Sequence, residues 1–366
     1  MIDPAVQARL ILRGLLSPTT DDPDRPFSPV VLQSLSDVPT GDLPPLQLDD
    51  VSGDAEQTKT QIQKTLAAYE KQHQTKPTRI DLKGSGALEI VQGPSAEAKP
   101  LANKIAVVTG AAGAIGFGIC KALLDNGCFL AATDLPGERL NQFVEEFRGM
   151  GYERVEGVPM DVTDPASVSE AFSQIVKTWG GLDILVHNAG IAHVSKLVDM
   201  KLEDFRKLQR VNVEGTLLTL AEAGRCFAAQ GIGGDVVLVS TKNVYSPGAG
   251  FGAYSATKAA AHQLARIASL EFAPMQVRVN MVAPDAVFSG GAHKSGLWAE
   301  VGPGRMKARG LDEKGLEEYY QNRNLLKARV TAGHVADAVV FFLSRRTPTT
   351  GACLPIDGGL PDAVPR

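Results

Sequence analysis

From Lys104 onward, short Val/Ile/Leu-rich runs alternate with stretches of helical spacing, and this alternation constrains the fold more than any other feature of the chain. Candidate strands span 104–109, 128–133, 155–160, 182–187, 235–240, 276–282 and 352–356, with 12–20 helical residues between most of them. None shows the strict apolar–polar alternation of a strand with one wet face. Near-continuous apolar runs are what strands buried on both faces require. A βαβ series of this kind predicts an α/β fold: a doubly wound parallel sheet of about seven strands with helices on both faces.

The first 100 residues follow another rule. They hold 11 of the 22 prolines, and their 14 Asp and Glu against 10 Lys and Arg account for the whole net charge of −4. Residues 17–53, rich in Pro, Asp and Ser, read as an irregular stretch. A helix is expected over 55–73, where Ile62, Leu66, Ala67 and Tyr69 share a face, and a strand or two over 78–92 around Gly84-Ser85-Gly86. The chain thus divides into a mostly irregular and helical N-terminal extension, 1–100, and a domain over 101–366 that includes a substrate lid at about 288–326. Because the extension holds no ligand cluster, residues 1–95 are expected to be dispensable for chemistry.

Composition excludes several functions. The mild acidity and the lack of any basic run argue against a nucleic-acid partner. No apolar run reaches the ~18 residues of a membrane span. The start, Met1-Ile2-Asp3-Pro4, has no basic or apolar leader pattern. Cys120, Cys128, Cys226 and Cys353 form no CxxC pair and are expected to be reduced thiols of a cytoplasmic protein. No metal is expected.

Thr109-Gly110-Ala111-Ala112-Gly113-Ala114-Ile115-Gly116 joins the first of the strands to a helix. Gly110 permits a tight turn, and Gly116 lets the helix pack close to the sheet. The helix N-terminus then offers N–H groups and partial positive charge to a pyrophosphate. This makes Gly110, Ala112, Gly113, Ile115 and Gly116 candidate dinucleotide contacts. Asp134 ends the second strand, 18 residues after Gly116. Its carboxylate can accept from a ribose 2′-hydroxyl and would repel a 2′-phosphate, which favours NAD over NADP. The nearby Arg139 keeps NADP as the minority alternative. Asp161-Val162 after the third strand can meet the adenine edge, and Asn188-Ala189-Gly190 after the fourth can lie against the adenosine ribose.

Tyr254 and Lys258 stand at i and i+4 on an expected helix and share a face. A lone tyrosine is a poor base near neutrality, with a pKa of about 10. A neighbouring ammonium and a positive nicotinamide ring both favour phenolate. The pair can then exchange a proton with a substrate oxygen.

Together these residues resemble the short-chain dehydrogenase/reductase family over about residues 101–360. The likeness rests on the glycine turn, Asp134, Asp161, Asn188-Ala189-Gly190, Asn212, the Tyr254/Lys258 pair, Arg278-Val279-Asn280, and Thr350-Gly351 through Asp357-Gly358-Gly359. The resemblance implies a Rossmann-type sheet, with Tyr254 as general acid/base. Lys258 would lower the tyrosine's pKa and hold the nicotinamide ribose, and Asn212 would hold a relay water. Pro284 and Val287 join the cofactor contacts. The family's serine, 13 residues before the tyrosine, is here Thr241; Ser240 would point the other way on an extended backbone. Ala114 and Asp285 stand where glycines are usual.

The implied reaction is hydride transfer between NAD and a CH–OH or carbonyl group of a small polar substrate: a hydroxyaldehyde, sugar or sugar phosphate. The implied assembly is a homodimer or homotetramer. A narrower likeness, through Thr241-Lys242-Asn243-Val244, Pro247 to Tyr254 and Pro284 to Phe288, is to the dehydrogenase half of bifunctional class II aldolase/short-chain dehydrogenase proteins. Residues 1–100 are too short for an aldolase and contain one histidine, His73, so they read as a vestige. Two alternatives stand beside this: a dinucleotide-binding regulatory protein, and a sugar-nucleotide epimerase or dehydratase. The latter usually carries a larger C-terminal substrate domain, and the expected return to the sheet at 350–359 speaks against one within 101–359.

In the lid, His293, Lys294, Trp298, Arg305, Lys307, Arg309, Tyr319, Tyr320 and Arg323 are candidates for substrate contact. His193 and Lys242 are expected nearer the chemistry. His187 and His262 read as packing residues.

Overall fold

The computed structural model describes residues 3–35, 43–49, 51, 54–83, 85–91, 99–290 and 292–360. The chain begins with α1 (Pro4–Leu16), capped by Asp3, whose carboxylate accepts from the N–H groups of Ala5 and Val6. Then come β1 (Val31–Leu35), β2 (Leu46–Leu48), α2 (Ala55–His73), β3 (Arg79–Leu82) and β4 (Gly86–Val91). The four strands form a sheet in the order β1-β4-β3-β2. The helix over 55–73 and the strands near 78–92 lie where the sequence puts them. The stretch 17–53 does not stay irregular, since β1 and β2 both fall within it. In β2 only Leu46 and Leu48 are buried, around an exposed Gln47, a pattern too short to announce a strand.

This N-terminal sheet has a core of its own, with Leu12, Leu32, Ile62, Ile80 and Leu88. It is also built into the rest of the protein. Val6, Leu10 and Val31 share a second core with Trp179, Leu185 and Phe227. Arg13 is fully buried. Its guanidinium donates to Asp183 Oδ2 at 2.7 Å, Val30 O at 2.8 Å and Gln230 Oε1 at 3.2 Å. Arg9 donates to Lys177 O and Ser85 O, both at 2.6 Å. Burial pushes the Asp183 carboxyl up, but Arg13 and Lys104 outweigh that and hold it below the usual carboxylate range. These contacts run against the expectation that residues 1–95 can be removed without cost. Deletion would uncover apolar surface and strip a buried carboxylate of its guanidinium.

The larger sheet contains β5 (Ile105–Thr109), β6 (Phe129–Asp134), β7 (Val155–Pro159), β8 (Ile184–His187), β9 (Gly234–Val239) and β10 (Val277–Pro284). A two-stranded ribbon follows, β11 (Ser289–Gly290) and β12 (His293–Lys294), and β13 (Cys353–Ile356) completes the sheet. The order is β13-β10-β9-β8-β5-β6-β7, and every pairing is parallel. The helices are α3 (Ala114–Asp125), α4 (Glu138–Gly149), α5 (Pro165–Trp179), α6 (Leu202–Gln209), α7 (Gly215–Gln230), α8 (Gly252–Glu271), α9 (Gly296–Arg309), α10 (Glu313–Arg323) and α11 (Ala332–Leu343). In β5, Ala106 and Val108 enter a core with Ile119, Phe143 and Val339. Ile105 and Val107 enter the opposite core, with Phe172 and Phe227. Successive side chains face opposite sides of a strand. With both faces covered, the central strands β5 and β8 are buried at every position, which is why they show no alternation.

Strand order reverses at β5, which lies between β6 and β8. The crevice beyond the carboxyl ends of β5 and β8 is thus the topological switch point, where ligands bind in open α/β sheets. Among the described residues, no helix is long and apolar enough to cross a membrane, and no group of His, Cys, Asp and Glu could hold a metal ion.

Candidate active site

The switch point opens into a cavity of about 950 Å³ whose lining includes Gly110, Asp134, Tyr254, Trp298 and Arg305. Gly110 has φ +61°, and a Cβ there would lie 2.9 Å from Ala189 Cα. A Cβ on Gly116 would sit 2.4 Å from Ala111 O. Glycine at the first position lets β5 turn against the residues after β8, and at the second lets α3 seat on the turn. Asn188 Nδ2 donates to Thr109 O at 3.1 Å and Gly110 O at 2.9 Å, tying the turn to β8. Gly113, the N-cap of α3, offers no side-chain cap. The first N–H groups of α3 are thus left for a ligand, beside Gly113, Ala114 and Ile115 on the cavity wall. An uncapped N-terminus beside a glycine cradle fits a dinucleotide pyrophosphate.

Asp134 Oδ2 accepts from Ala112 N at 3.0 Å, Asp134 Oδ1 from Leu135 N at 2.9 Å, and Arg139 donates to Ala112 O at 2.7 Å. Of the cofactor candidates, Gly110, Gly113, Ile115, Asp134, Asp161, Val162, Asn188, Ala189, Gly190, Pro284 and Val287 line the cavity together with Tyr254 and Lys258. Ala112 and Gly116 are not on the wall; they shape it from behind.

Tyr254 and Lys258 are buried on α8. Lys258 Nζ donates to Val239 O at 2.8 Å. Burial pushes the Lys258 ammonium down to about 8. Burial also pushes the Tyr254 phenol up to about 12; a hydrogen bond with Thr241 opposes this, and the Asp285 charge adds to it. Thr241 follows the end of β9 and meets the phenol. Ser240 instead bonds His262 Nδ1 at 3.0 Å, and His262 Nε2 lies 3.2 Å from Tyr245 Oη. Asn212 lies in one π-helical turn, Arg210–Glu214, a local widening that often marks functional sites. Its Nδ2 donates to Ile191 O at 2.9 Å and Thr257 Oγ1 at 3.0 Å, and its Oδ1 accepts from Ile191 N at 2.9 Å. His187 is enclosed by the hydroxyls of Thr216 and Thr219, and burial pushes it down to about 3, so it is a neutral packing residue at any physiological pH.

Thr241→Ala is expected to lower turnover by about 10²-fold, the scale of one lost oriented donor. Ser240→Ala, which loses only a contact with His262, should cost much less. Steady-state kcat for both variants decides this, and a reversed order would show that the other hydroxyl reaches the chemistry.

Of the lid candidates, Trp298, Arg305, Tyr320 and Arg323 line the cavity, as do His193 and Lys242. His293, Lys294, Lys307, Arg309 and Tyr319 do not. His293 stacks on Phe117 at 4.7 Å and pairs with Glu146 at 2.8 Å. Lys294 pairs with Glu313, and Arg309 lies over the Tyr319 ring. The wall also carries acids that the sequence does not single out for this site, among them Asp204, Asp285 and Glu300. The only signal for Asp285 was its place after Pro284, where glycine is usual; Glu300 has no local signal.

The short chain dehydrogenase family matches residues 104–299, and the chain belongs to that family. It is an oxidoreductase whose cofactor is a nicotinamide dinucleotide. An uncharacterized oxidoreductase of Bacillus subtilis, YuxG, is 34% identical over 275 residues, 75% of this chain and 39% of that protein. The chain thus spans well under half of this longer relative. L-2,3-butanediol dehydrogenase of Corynebacterium glutamicum is 30% identical over 262 residues, 70% of this chain and 98% of its own. Among solved structures, sorbitol-6-phosphate 2-dehydrogenase SrlD of Erwinia amylovora matches with a TM-score of 0.64 and 25% identity, covering 70% of this chain and 98% of that one.

Proposed function

We propose that this protein is an NAD-dependent dehydrogenase that moves a hydride between the cofactor and a CH–OH or carbonyl group of a small polar substrate, a hydroxyaldehyde, sugar or sugar phosphate. The observation that carries this reading is that a buried Tyr254, one turn from Lys258 on α8, shares one cavity with Thr241 and the glycine turn. The relatives named for butanediol and for sorbitol 6-phosphate are consistent with a polar CH–OH substrate. We extend the reading to a cytoplasmic homodimer or homotetramer. The narrower likeness to aldolase-linked dehydrogenases rests on the Thr241, Pro247 and Pro284 stretches.

The nicotinamide supplies the hydride acceptor or donor when bound. The N-terminus of α3 binds the pyrophosphate, Asp134 the adenosine ribose, and Lys258 the nicotinamide ribose. Thr241 donates to the substrate oxygen and aligns it. Tyr254 Oη takes the proton from that oxygen in oxidation and returns it in reduction. Asn212, held by Ile191 and Thr257, positions a water that renews the proton.

A direct test follows the absorbance of NADH at 340 nm over a panel of polyols, hydroxyaldehydes and sugar phosphates. For the cofactor, tighter binding of NADH than of NADPH is expected in a fluorescence titration. The Asp134 carboxylate accepts from ribose hydroxyls and repels a 2′-phosphate. Asp134→Ala should narrow the preference by about 1–3 kcal/mol, the scale of a charged hydrogen bond. A wild-type preference for NADPH would refute the assignment.

A further inference from the structure

We infer that the substrate carries an anionic group, a phosphate or carboxylate, remote from its reacting carbon, and that Lys242, Arg305 and Arg323 form the site for it. This inference rests on the dehydrogenase reading above and narrows it.

The three cations come from different elements and line one cavity with Tyr254. Lys242 stands in the turn after β9, next to Thr241; Arg305 lies on α9 and Arg323 on α10. Each is held without being neutralised by a full set of carboxylates. Lys242 Nζ donates to Ser246 O at 3.0 Å. The Arg305 guanidinium lies over the Phe251 ring, 4.8 Å from its centroid, and donates to Ala249 O at 3.3 Å. That of Arg323 lies 4.5 Å over Tyr320 and donates to Asp285 Oδ2 at 2.6 Å, while its Nε is buried with no acceptor. Among the described residues, Asp285 is the one carboxylate paired within this trio. The other acids on this part of the wall, Asp204 and Glu300, flank His193 at 3.8 and 3.3 Å.

The cations feel one another. Lys242 is half-buried, its ammonium is made less basic chiefly by that burial, and Arg323 and Arg305 add to the effect against Asp285. Gathering three like charges against one partner opposes folding rather than aiding it. An arriving anion offsets that balance. Arginine forks suit its oxygens, and lysine adds a point charge. The site lies beside the chemistry: Thr241 adjoins Lys242, and the Asp285 charge acts on both Lys242 and Tyr254. A small hydroxy compound with a charged far end spans the two.

Two experiments on the full-length chain test this. In the first, inorganic phosphate and oxalate are titrated calorimetrically into the NADH complex. Saturable binding of one of them is expected, weakened about tenfold or more in Lys242→Met and in Arg305→Met. In the second, kcat/KM is compared within matched pairs: sorbitol against sorbitol 6-phosphate for a phosphate, and 2,3-butanediol against 3-hydroxybutyrate for a carboxylate. One charged member should exceed its neutral partner by about 10²-fold, a ratio that collapses in both variants. The inference is overturned if neither anion binds, or if charged and neutral members are used alike. It is also overturned if the variants weaken NADH as much as they weaken the anion, since the cations would then serve the cofactor's phosphates. If an anion binds and the variants abolish that binding while no pair is turned over, the anion site stands and the dehydrogenase reading is what fails.

Discussion

A Tyr254→Phe protein is expected to bind NADH as the wild type does and to turn over about 10³-fold more slowly or worse. The phenylalanine ring fills the same buried place on α8, but the group that exchanges a proton with the substrate oxygen is gone. Lys258→Ala should damage cofactor binding as well as turnover, because its ammonium is placed to serve both. The wild-type pH profile follows from the same two groups. Burial pushes Tyr254 up to about 12 and Lys258 down to about 8. Burial thus holds the phenol protonated, no Lys258 charge being among the causes of its shift, and it is the positive charge of an oxidised nicotinamide that would favour loss of its proton. Alcohol oxidation should rise with pH through an apparent pKa below the ~10 of unperturbed tyrosine, and carbonyl reduction should fall over the same range. That apparent value belongs to the coupled pair and not to either residue. Measuring kcat/KM in both directions from pH 6 to 10 checks this. A flat oxidative profile, or a Tyr254→Phe enzyme of near wild-type rate, would remove Tyr254 from the proton transfer.

Replacing Arg13 by methionine is expected to cost about 3 kcal/mol or more of stability, the scale of breaking one buried ion pair. The guanidinium is fully buried and the Asp183 side chain is 4% exposed, so solvent cannot compensate for its loss. Sign and pH dependence can be worked out. In the wild type Asp183 is held below its ordinary value. It therefore stabilises the fold above about pH 4, and that contribution is lost as pH falls through the folded value. Without Arg13, only Lys104 and the Ile105 N–H still oppose burial, so the carboxyl rises and protonation relieves part of the variant's cost. The stability gap between the two proteins should narrow on going from pH 7 to pH 4 in urea denaturation. A constant gap would place the cost in lost packing alone. Deleting residues 3–91 should be worse still, giving an aggregating or unfolded chain, because Val6, Leu10 and Val31 leave the core that backs the central sheet.

These two results probe opposite kinds of information. The seven-stranded parallel sheet, the glycine turn and the Tyr254/Lys258 pair are legible from consecutive residues, because runs of apolar side chains and an i, i+4 spacing are local properties. All seven expected strands are present, shifted by a residue or two at their ends. The Ser240–Thr241 question is also local, since an extended backbone sends neighbours to opposite sides.

The lid is different. Which of its basic residues face the cavity depends on where α9 and α10 settle, and that is decided by partners distant in sequence: Phe117 and Glu146 for His293, Ala249 and Phe251 for Arg305, Asp285 for Arg323. The N-terminal extension shows the limit most sharply. Its Pro- and Asp-rich composition suggests an appendage, but Arg13 meets Asp183 across 170 residues of chain. By itself, then, the sequence determined the sheet, the glycine turn between β5 and α3, and the placing of Tyr254 and Lys258 on one helix face. Tertiary structure alone decided which cations share the cavity and that Val6, Leu10 and Val31 belong to the core behind the large sheet, because burial and charge pairing act between groups that only folding brings together.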